Sequence, residues 1–264
     1  NFQTTGEFGS NQVSTAFGLG LLLSFYLWLA GYSISGNRWL DIIITMLFTF
    51  QGLLSFSRGG MIGGALGIII VLLFMARVSK KSVAYFHFKK VKRYFFPVLF
   101  FLGVSIFFAN KVTGGILFLR YQGETAGTLS GKREKDLNLI TTGRLDLFLS
   151  DLELVEEYGI FGVGAAASKY LREYHTGVSA HVESSRLLAE HGVLGFLFLI
   201  GVLILFFKVY KNPNDNLYKS ILFAFLVVGW YTTFHAATRT YITPLLMGLS
   251  TIYIVYGQGP LSRN

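Results

Sequence analysis

The sequence predicts an all-α integral membrane protein, a multi-span helical bundle with one large, partly helical loop on its outer face. Three observations carry this. Only 14% of the 264 residues are charged while 52% are hydrophobic, whereas a soluble domain carries about 25% charged residues. The apolar residues fall in continuous runs, several near the roughly 20 residues with which a helix crosses the hydrocarbon layer. A backbone in that layer must satisfy its own hydrogen bonds, which leaves helices or closed barrels. The runs lack the alternation of a barrel strand, so helices are favoured.

In chain order the runs place spans at 13–33, 39–56, 60–76, 94–109, 192–209, 219–237 and 242–257. The segment from Arg77 to Arg93 orients them. It holds Arg77, Lys80, Lys81, Lys89, Lys90, Lys92 and Arg93 and no acid, and such segments stay on the cytoplasmic side. Alternation then puts 1–12, 57–59, 110–191 and 238–241 outside. The turn at 210–218 falls inside, with Lys208, Lys211 and Lys219 around it. The net charge of +9 follows from this topology, and no nucleic-acid motif accompanies the basic residues, so no nucleic-acid partner is expected. Cysteine is absent, which excludes disulfides and thiolate chemistry. The chain starts at Asn1 on a polar segment, and residues 1–264 are expected to form a single membrane domain, the C-terminal part of a longer protein.

The span after Arg58 contains Gly60, Gly63, Gly64 and Gly67, two overlapping GxxxG patterns. Close helix packing is preferred over a phosphate-cradling loop. The outer loop, 110–191, is too long for a simple connector and mixes nine Lys/Arg with eleven Asp/Glu. Within it, Arg144 to Tyr158 reads as an amphipathic helix. Leu145, Phe148, Leu149, Leu152 and Val155 form its apolar stripe, and Gly159, Gly162 and Gly164 follow its end. A second helix is expected to start near His181 and to run into the span after Gly192.

A few groups can carry chemistry. Arg58 lies at the outer mouth of two spans, where a cation is costly without a partner or water. It reads either as a snorkelling or capping residue or as an anion clamp, since guanidinium binds phosphate oxygens as a fork. Arg144 follows Thr142-Gly143 and reads as a solvated side chain, or as a second anion ligand if the loop folds over the Arg58 mouth. Two such cations would suit a diphosphate. His181 can take a proton from a hydroxyl, or be structural. His175 and His191 do not share its helical face, so no metal site is expected. Glu183 and Glu190 either orient and charge-balance the site or are solvated. His235 and Arg239, four apart, would share a helix face at the outer end of a later span. No Ser-His-Asp order, P-loop or dinucleotide fingerprint is present.

Three patches resemble the O-antigen ligase and polymerase family of bacterial envelope glycosyltransferases. The first is Leu54-Ser55-Phe56-Ser57-Arg58-Gly59-Gly60. The second is Thr142-Gly143-Arg144-Leu145, followed by Gly159-Ile160-Phe161-Gly162-Val163-Gly164. The third runs from His181-Val182-Glu183 through Arg186 to Gly192-Val193-Leu194-Gly195. The third is similar to the ligase pattern of a His, a polar residue, nine residues and Gly-x-x-Gly, with Val182 where Asn, Ser or Gln is usual.

The resemblance implies a GT-C-like bundle in the bacterial inner membrane, with the large loop periplasmic. It implies a metal-independent, inverting transfer that needs no cofactor. The donor would be a glycan on undecaprenyl diphosphate, and the acceptor a sugar hydroxyl of lipid A core or of a growing polysaccharide. His181 would be the catalytic base, and Arg58 and Arg144 would bind the diphosphate. Glu183, Arg186, His235 and Arg239 would be accessory. The competing reading from the residues alone is a transporter or flippase of lipid-linked sugar, which would need polar groups at mid-span; Asp41 and Gln51 are the few there.

Overall fold

The computed structural model describes residues 5–6, 8–77, 100, 102–132, 134, 136–173, 176–178, 182–213, 215–235 and 241–253. Among them every regular element is helical. The long elements of the first half are α1 (Ser10–Leu29), α2 (Arg38–Leu54), α3 (Arg58–Ala76) and α4 (Leu102–Val112). The outer loop follows as α5 (Ile116–Tyr121), α6 (Ala126–Leu129), α7 (Leu137–Ile140), α8 (Arg144–Tyr158), α9 (Ser168–Leu171) and α10 (Glu183–His191). The chain then enters α11 (Val193–Tyr210), α12 (Asn216–Thr232), a 3-10 turn (Thr233–His235) and α13 (Ile242–Leu249).

Helices α1, α3 and α11 are long and apolar enough to cross a membrane, and the protein is an all-α membrane protein. The run expected at 94–109 is described as helix over Leu102–Val112, and residues 78–93 of the basic segment lie outside the described residues. Two other spans are shorter than expected, and hydroxyls explain where they stop. Thr232 and Thr233 donate back to the Gly229 and Trp230 carbonyls, both at 2.6 Å, ending α12 before residue 237. Ser250 and Thr251 do the same to Met247 and Gly248 at 2.6 and 2.7 Å, ending α13 at Leu249. Such back-bonding offers the last carbonyls an alternative to another helical turn.

The glycines of α3 are packing glycines. A Cβ on Gly60 would lie 2.1 Å from the backbone of Ser14 and Thr15, and one on Gly64 would lie 2.4 Å from the Gly18 carbonyl oxygen. The α1 and α3 backbones therefore touch. On the other side of α3, a Cβ on Gly63 would meet the Tyr231 ring at 3.1 Å, so α12 is drawn in too. Leu22, Leu29, Val71, Met75, Ala224, Val228 and Leu246 fill the core between α1, α3, α12 and α13. Helix α11 is peripheral: Leu194, Leu197, Leu203, Ile204 and Phe207 are exposed, as a lipid-facing surface requires.

Two expectations about the outer loop are corrected. Helix α8 has the expected bounds but not the expected inner face. Leu149 and Leu152 are exposed, while Leu147, Ser150, Asp151 and Leu154 are buried against α10. The inner face is chosen by a buried charge rather than by the apolar stripe. The helix entering the membrane is also interrupted. It ends at His191, and Gly192, at φ 51° and ψ −124°, separates α10 from α11. A Cβ on Gly192 would lie 2.1 Å from the Ile160 carbonyl oxygen. The turn after α8 docks there: Val193 N donates to Ile160 O at 2.8 Å, Val163 N to Ala189 O at 2.9 Å, and Gly164 N to Glu190 O at 3.0 Å. The second and third sequence patches are thus one folded unit.

Candidate active site

Arg58 opens α3 because the turn before it is held on three sides. Ser55 Oγ donates to Gly52 O at 2.6 Å, Ser14 Oγ donates to Ser57 O at 2.7 Å, and Ser57 Oγ donates to Asn11 Oδ1 at 2.7 Å. Phe56 sits at φ 56°, a conformation uncommon for a residue with a side chain. The half-buried Arg58 then reaches across 82 residues of sequence to donate from Nη2 to the Ile140 carbonyl at 3.0 Å. That contact brings the outer loop onto the mouth of the spans.

Ile140 ends α7, and a tight turn joins α7 to α8. Asp136 caps α7 by accepting from Leu139 N at 2.6 Å, Asn138 Nδ2 donates to Asp146 Oδ2, and Asp146 N donates to Asn138 Oδ1 at 3.3 Å. Thr142 at φ 57° and Gly143 at φ 79° make the reversal, which a β-branched residue adopts only under constraint. Arg144 emerges from this turn at the head of α8.

Arg144 feels the charge of Arg58, and both feel the Tyr231 phenol from α12. Tyr121 and Arg120 of α5 also act on Arg58. Burial pushes the Arg144 guanidinium below the ordinary arginine range, opposed by Tyr231 and reinforced by Arg58; it stays charged all the same. Burial likewise pushes the Tyr121 phenol up against the pull of Arg58, keeping it a hydrogen-bond donor. Among the described residues no carboxylate pairs with Arg58 or Arg144. Arg144 Nε and the Tyr121 hydroxyl are shielded from solvent and make no hydrogen bond. Such a cluster of cations and phenols, without a counter-ion among the described residues, has the chemistry that suits an anion.

Behind it lies a second cluster with the opposite character. Arg172 Nε and Nη2 both reach Asp151 Oδ1, at 2.9 and 2.6 Å, and its Nη1 donates to Val178 O at 2.8 Å. Ser185 Oγ donates to Asp151 Oδ2 at 2.8 Å. Ser168 Oγ donates to Glu190 Oε1 at 2.8 Å. Arg186 pairs with Glu183 and, at 3.0 Å, with Glu190. Asp151, Arg172, Glu183, Ser185 and Glu190 are all buried. Burial pushes the Asp151 carboxyl up, while Ser185 and Arg172 draw it back.

Of the residues singled out in the sequence, Arg58 and Arg144 come together. Glu183 and Arg186 form an ion pair on α10, and the solvated reading of Glu183 and Glu190 is overturned by their burial. His181 and Arg239 lie outside the described residues. His235 falls in the 3-10 turn after α12 has ended, so it does not extend that helix's face. Sequence reading missed Tyr121, Tyr231, Asp151 and Arg172. Tyr231 had no local signal, because Gly63 and the core bring it to Arg58 from the far end of the chain. Among the described residues no group of three or more His, Cys, Asp or Glu is placed to hold a metal.

A family model described as O-antigen ligase matches residues 42–200, more than half of the chain. The matched segment includes Arg58, Arg144, the buried ion-pair cluster and the Gly192 junction, and stops before α12. No curated protein and no solved structure matches the chain.

Proposed function

The chain belongs to the O-antigen ligase family, and on that premise we propose that it moves a glycan from undecaprenyl diphosphate to a sugar hydroxyl. Membership makes it a membrane enzyme of the glycosyltransferase type, acting in polysaccharide biosynthesis. The finer reading concerns donor, acceptor, residues and side of the membrane. The reaction takes place on the periplasmic face of the bacterial inner membrane, where the loop 110–191 covers the mouth of the spans. The acceptor is lipid A core or a growing polysaccharide.

One observation supports this reading: two arginines, 86 positions apart in the sequence, converge at the mouth of α3 beside two tyrosines, with no carboxylate partner among the described residues. Fixed guanidinium charge there binds a diphosphate and stabilises the charge that grows on it as the glycosidic bond breaks. His181 is the general base. It takes the proton of the acceptor hydroxyl as that oxygen bonds to the anomeric carbon. The bond from that carbon to the diphosphate oxygen breaks, and undecaprenyl diphosphate leaves with the electron pair. Attack opposite the leaving group inverts the anomeric centre. Two guanidiniums supply the positive charge, so the step needs no metal. Glu183, Arg186, His235 and Arg239 are accessory in this reading.

The test is transfer by purified protein in phospholipid vesicles, with a lipid-linked diphosphate glycan as donor and no ion gradient. Product is expected from the native chain and none from His181→Ala or Arg58→Ala at equal expression. Movement of donor across the bilayer without any transfer would overturn the reading in favour of a flippase.

A further inference from the structure

We infer that the Asp151–Arg172 ion pair is a positioning device for the transfer reaction, clamping both flanks of the segment that carries His181 to the helix that carries Arg144. The inference rests on the reading of His181 as the base. Its basis is where the pair's spare hydrogen bonds go. Arg172 commits Nε and Nη2 to Asp151 Oδ1, and turns Nη1 to the Val178 carbonyl at 2.8 Å. Val178 is three residues before His181. Asp151 uses its other oxygen, Oδ2, to accept from Ser185 Oγ at 2.8 Å. Ser185 is four residues after His181, and its hydroxyl also reaches the Val182 carbonyl at 3.2 Å. Both flanks of the segment 178–185 therefore end on one ion pair.

The clamp is rigid. Arg172 is 2% exposed, and Asp151 and Ser185 are 0% exposed. Its other end is anchored in α8, whose first residue is Arg144. Asp151 is seven residues on, two turns along the same face and about 10 Å along the axis. Helix α8 thus links Arg144 to Val178 and Ser185, the residues that flank the proposed base. Stability does not account for such a pair, since well-packed apolar residues often serve a buried site as well or better. Lysine would not replace Arg172 either, because only the planar fork spans the carboxylate and the Val178 carbonyl together.

Purified full chain in phospholipid vesicles, with the lipid-linked diphosphate glycan donor and a hydroxyl acceptor, tests this through three variants. Arg172→Lys is expected to lower kcat about tenfold or more at saturating donor, because small misplacements of a reacting group are costly, while donor KM stays within about twofold. Ser185→Ala removes only the hydroxyl arm and leaves the ion pair; it should lower kcat by a smaller factor, again without moving donor KM or the melting temperature. His181→Ala should abolish transfer. Native kcat in Ser185→Ala and in every folded Arg172→Lys preparation, with His181→Ala inactive, overturns the positioning role and leaves the base assignment standing. If donor KM rises while kcat holds, the pair serves donor binding instead, and the inference fails. Full activity of His181→Ala overturns the base assignment and the inference with it. Should Arg172→Lys not fold, the kcat of Ser185→Ala decides.

Discussion

The two arginine clusters, Arg58 with Arg144 and Arg172 with Arg186, are built from the same side chain and differ in their partners. Arg172 and Arg186 are matched by Asp151, Glu183 and Glu190, and buried with them. Among the described residues no acid pairs with Arg58 or Arg144, although eleven of the chain's fourteen Asp and Glu residues lie in the loop 110–191. Acids are therefore at hand but placed elsewhere. A matched guanidinium commits its charge to the fold; an unmatched one in a half-dry mouth leaves its charge available, as the proposed diphosphate binding requires. Removing one partner should thus cost much stability in the matched cluster and little in the unmatched one.

The largest expected effect is at the matched cluster. Asp151→Ala strands the Arg172 guanidinium in a dry site, and breaking a buried pair in this way costs about 3–5 kcal/mol. Thermal unfolding of the purified protein in detergent should show it. The loss comes from the stranded cation rather than from the carboxylate, whose own burial already raises its pKa. Replacing both partners, Asp151→Leu with Arg172→Met, should then recover most of the stability. If the single and double variants melt alike, the cost lies in α8 packing and the comparison loses half its basis.

Next in size is Arg144→Ala at the unmatched cluster. No acid is left behind, so the melting temperature should hold or rise. Turnover should fall by the amount expected for removing one preorganised charge contact, about 2.7–4 kcal/mol of barrier or 10²–10³-fold. A fall in melting temperature comparable to that of Asp151→Ala would show that Arg144 is structural after all.

A third, smaller effect tests the platform beneath Arg58. Gly60→Ala places a methyl 2.1 Å from the α1 backbone, and backbone cannot swing aside as a side chain can. Overpacking of this kind costs about 1–3 kcal/mol. Because Ser14 and Asn11 of α1 hold the turn before Arg58, donor KM should rise as well, which a titration against lipid-linked donor would read.

The elements carried by local pattern were legible in the sequence: the apolar helices, the bounds of α8, and the glycine-mediated contact of α3. The failures share a cause. The α8 stripe of Leu145, Phe148, Leu149, Leu152 and Val155 was the better apolar face, yet the helix turns Asp151 inward because Arg172 and Ser185, 21 and 34 residues away, satisfy it. The Gly192 break was invisible for the same reason, since it depends on Ile160 docking from the preceding turn. At the mouth, Arg58 and Arg144 stood out as cations in unusual places, but Tyr121 and Tyr231 are two of fourteen tyrosines and nothing local marks them. Burial of a polar group is decided by its distant partner, and a single sequence does not display the partner.

The smallest change isolates the logic of the comparison in one oxygen atom. The Tyr121 hydroxyl is shielded and makes no hydrogen bond, and burial holds it protonated beside Arg58. A buried hydroxyl with no partner costs free energy in the resting protein. Tyr121→Phe should therefore leave the melting temperature unchanged or slightly raised. If the hydroxyl donates to the bound diphosphate, its loss removes one hydrogen bond to a charged group, about 1.5–3 kcal/mol, and donor affinity drops. A structural hydroxyl would show the reverse pattern, with stability lost and affinity intact. Opposite signs in the two measurements, from a change that leaves the ring in place, are what a group kept for an absent anion requires.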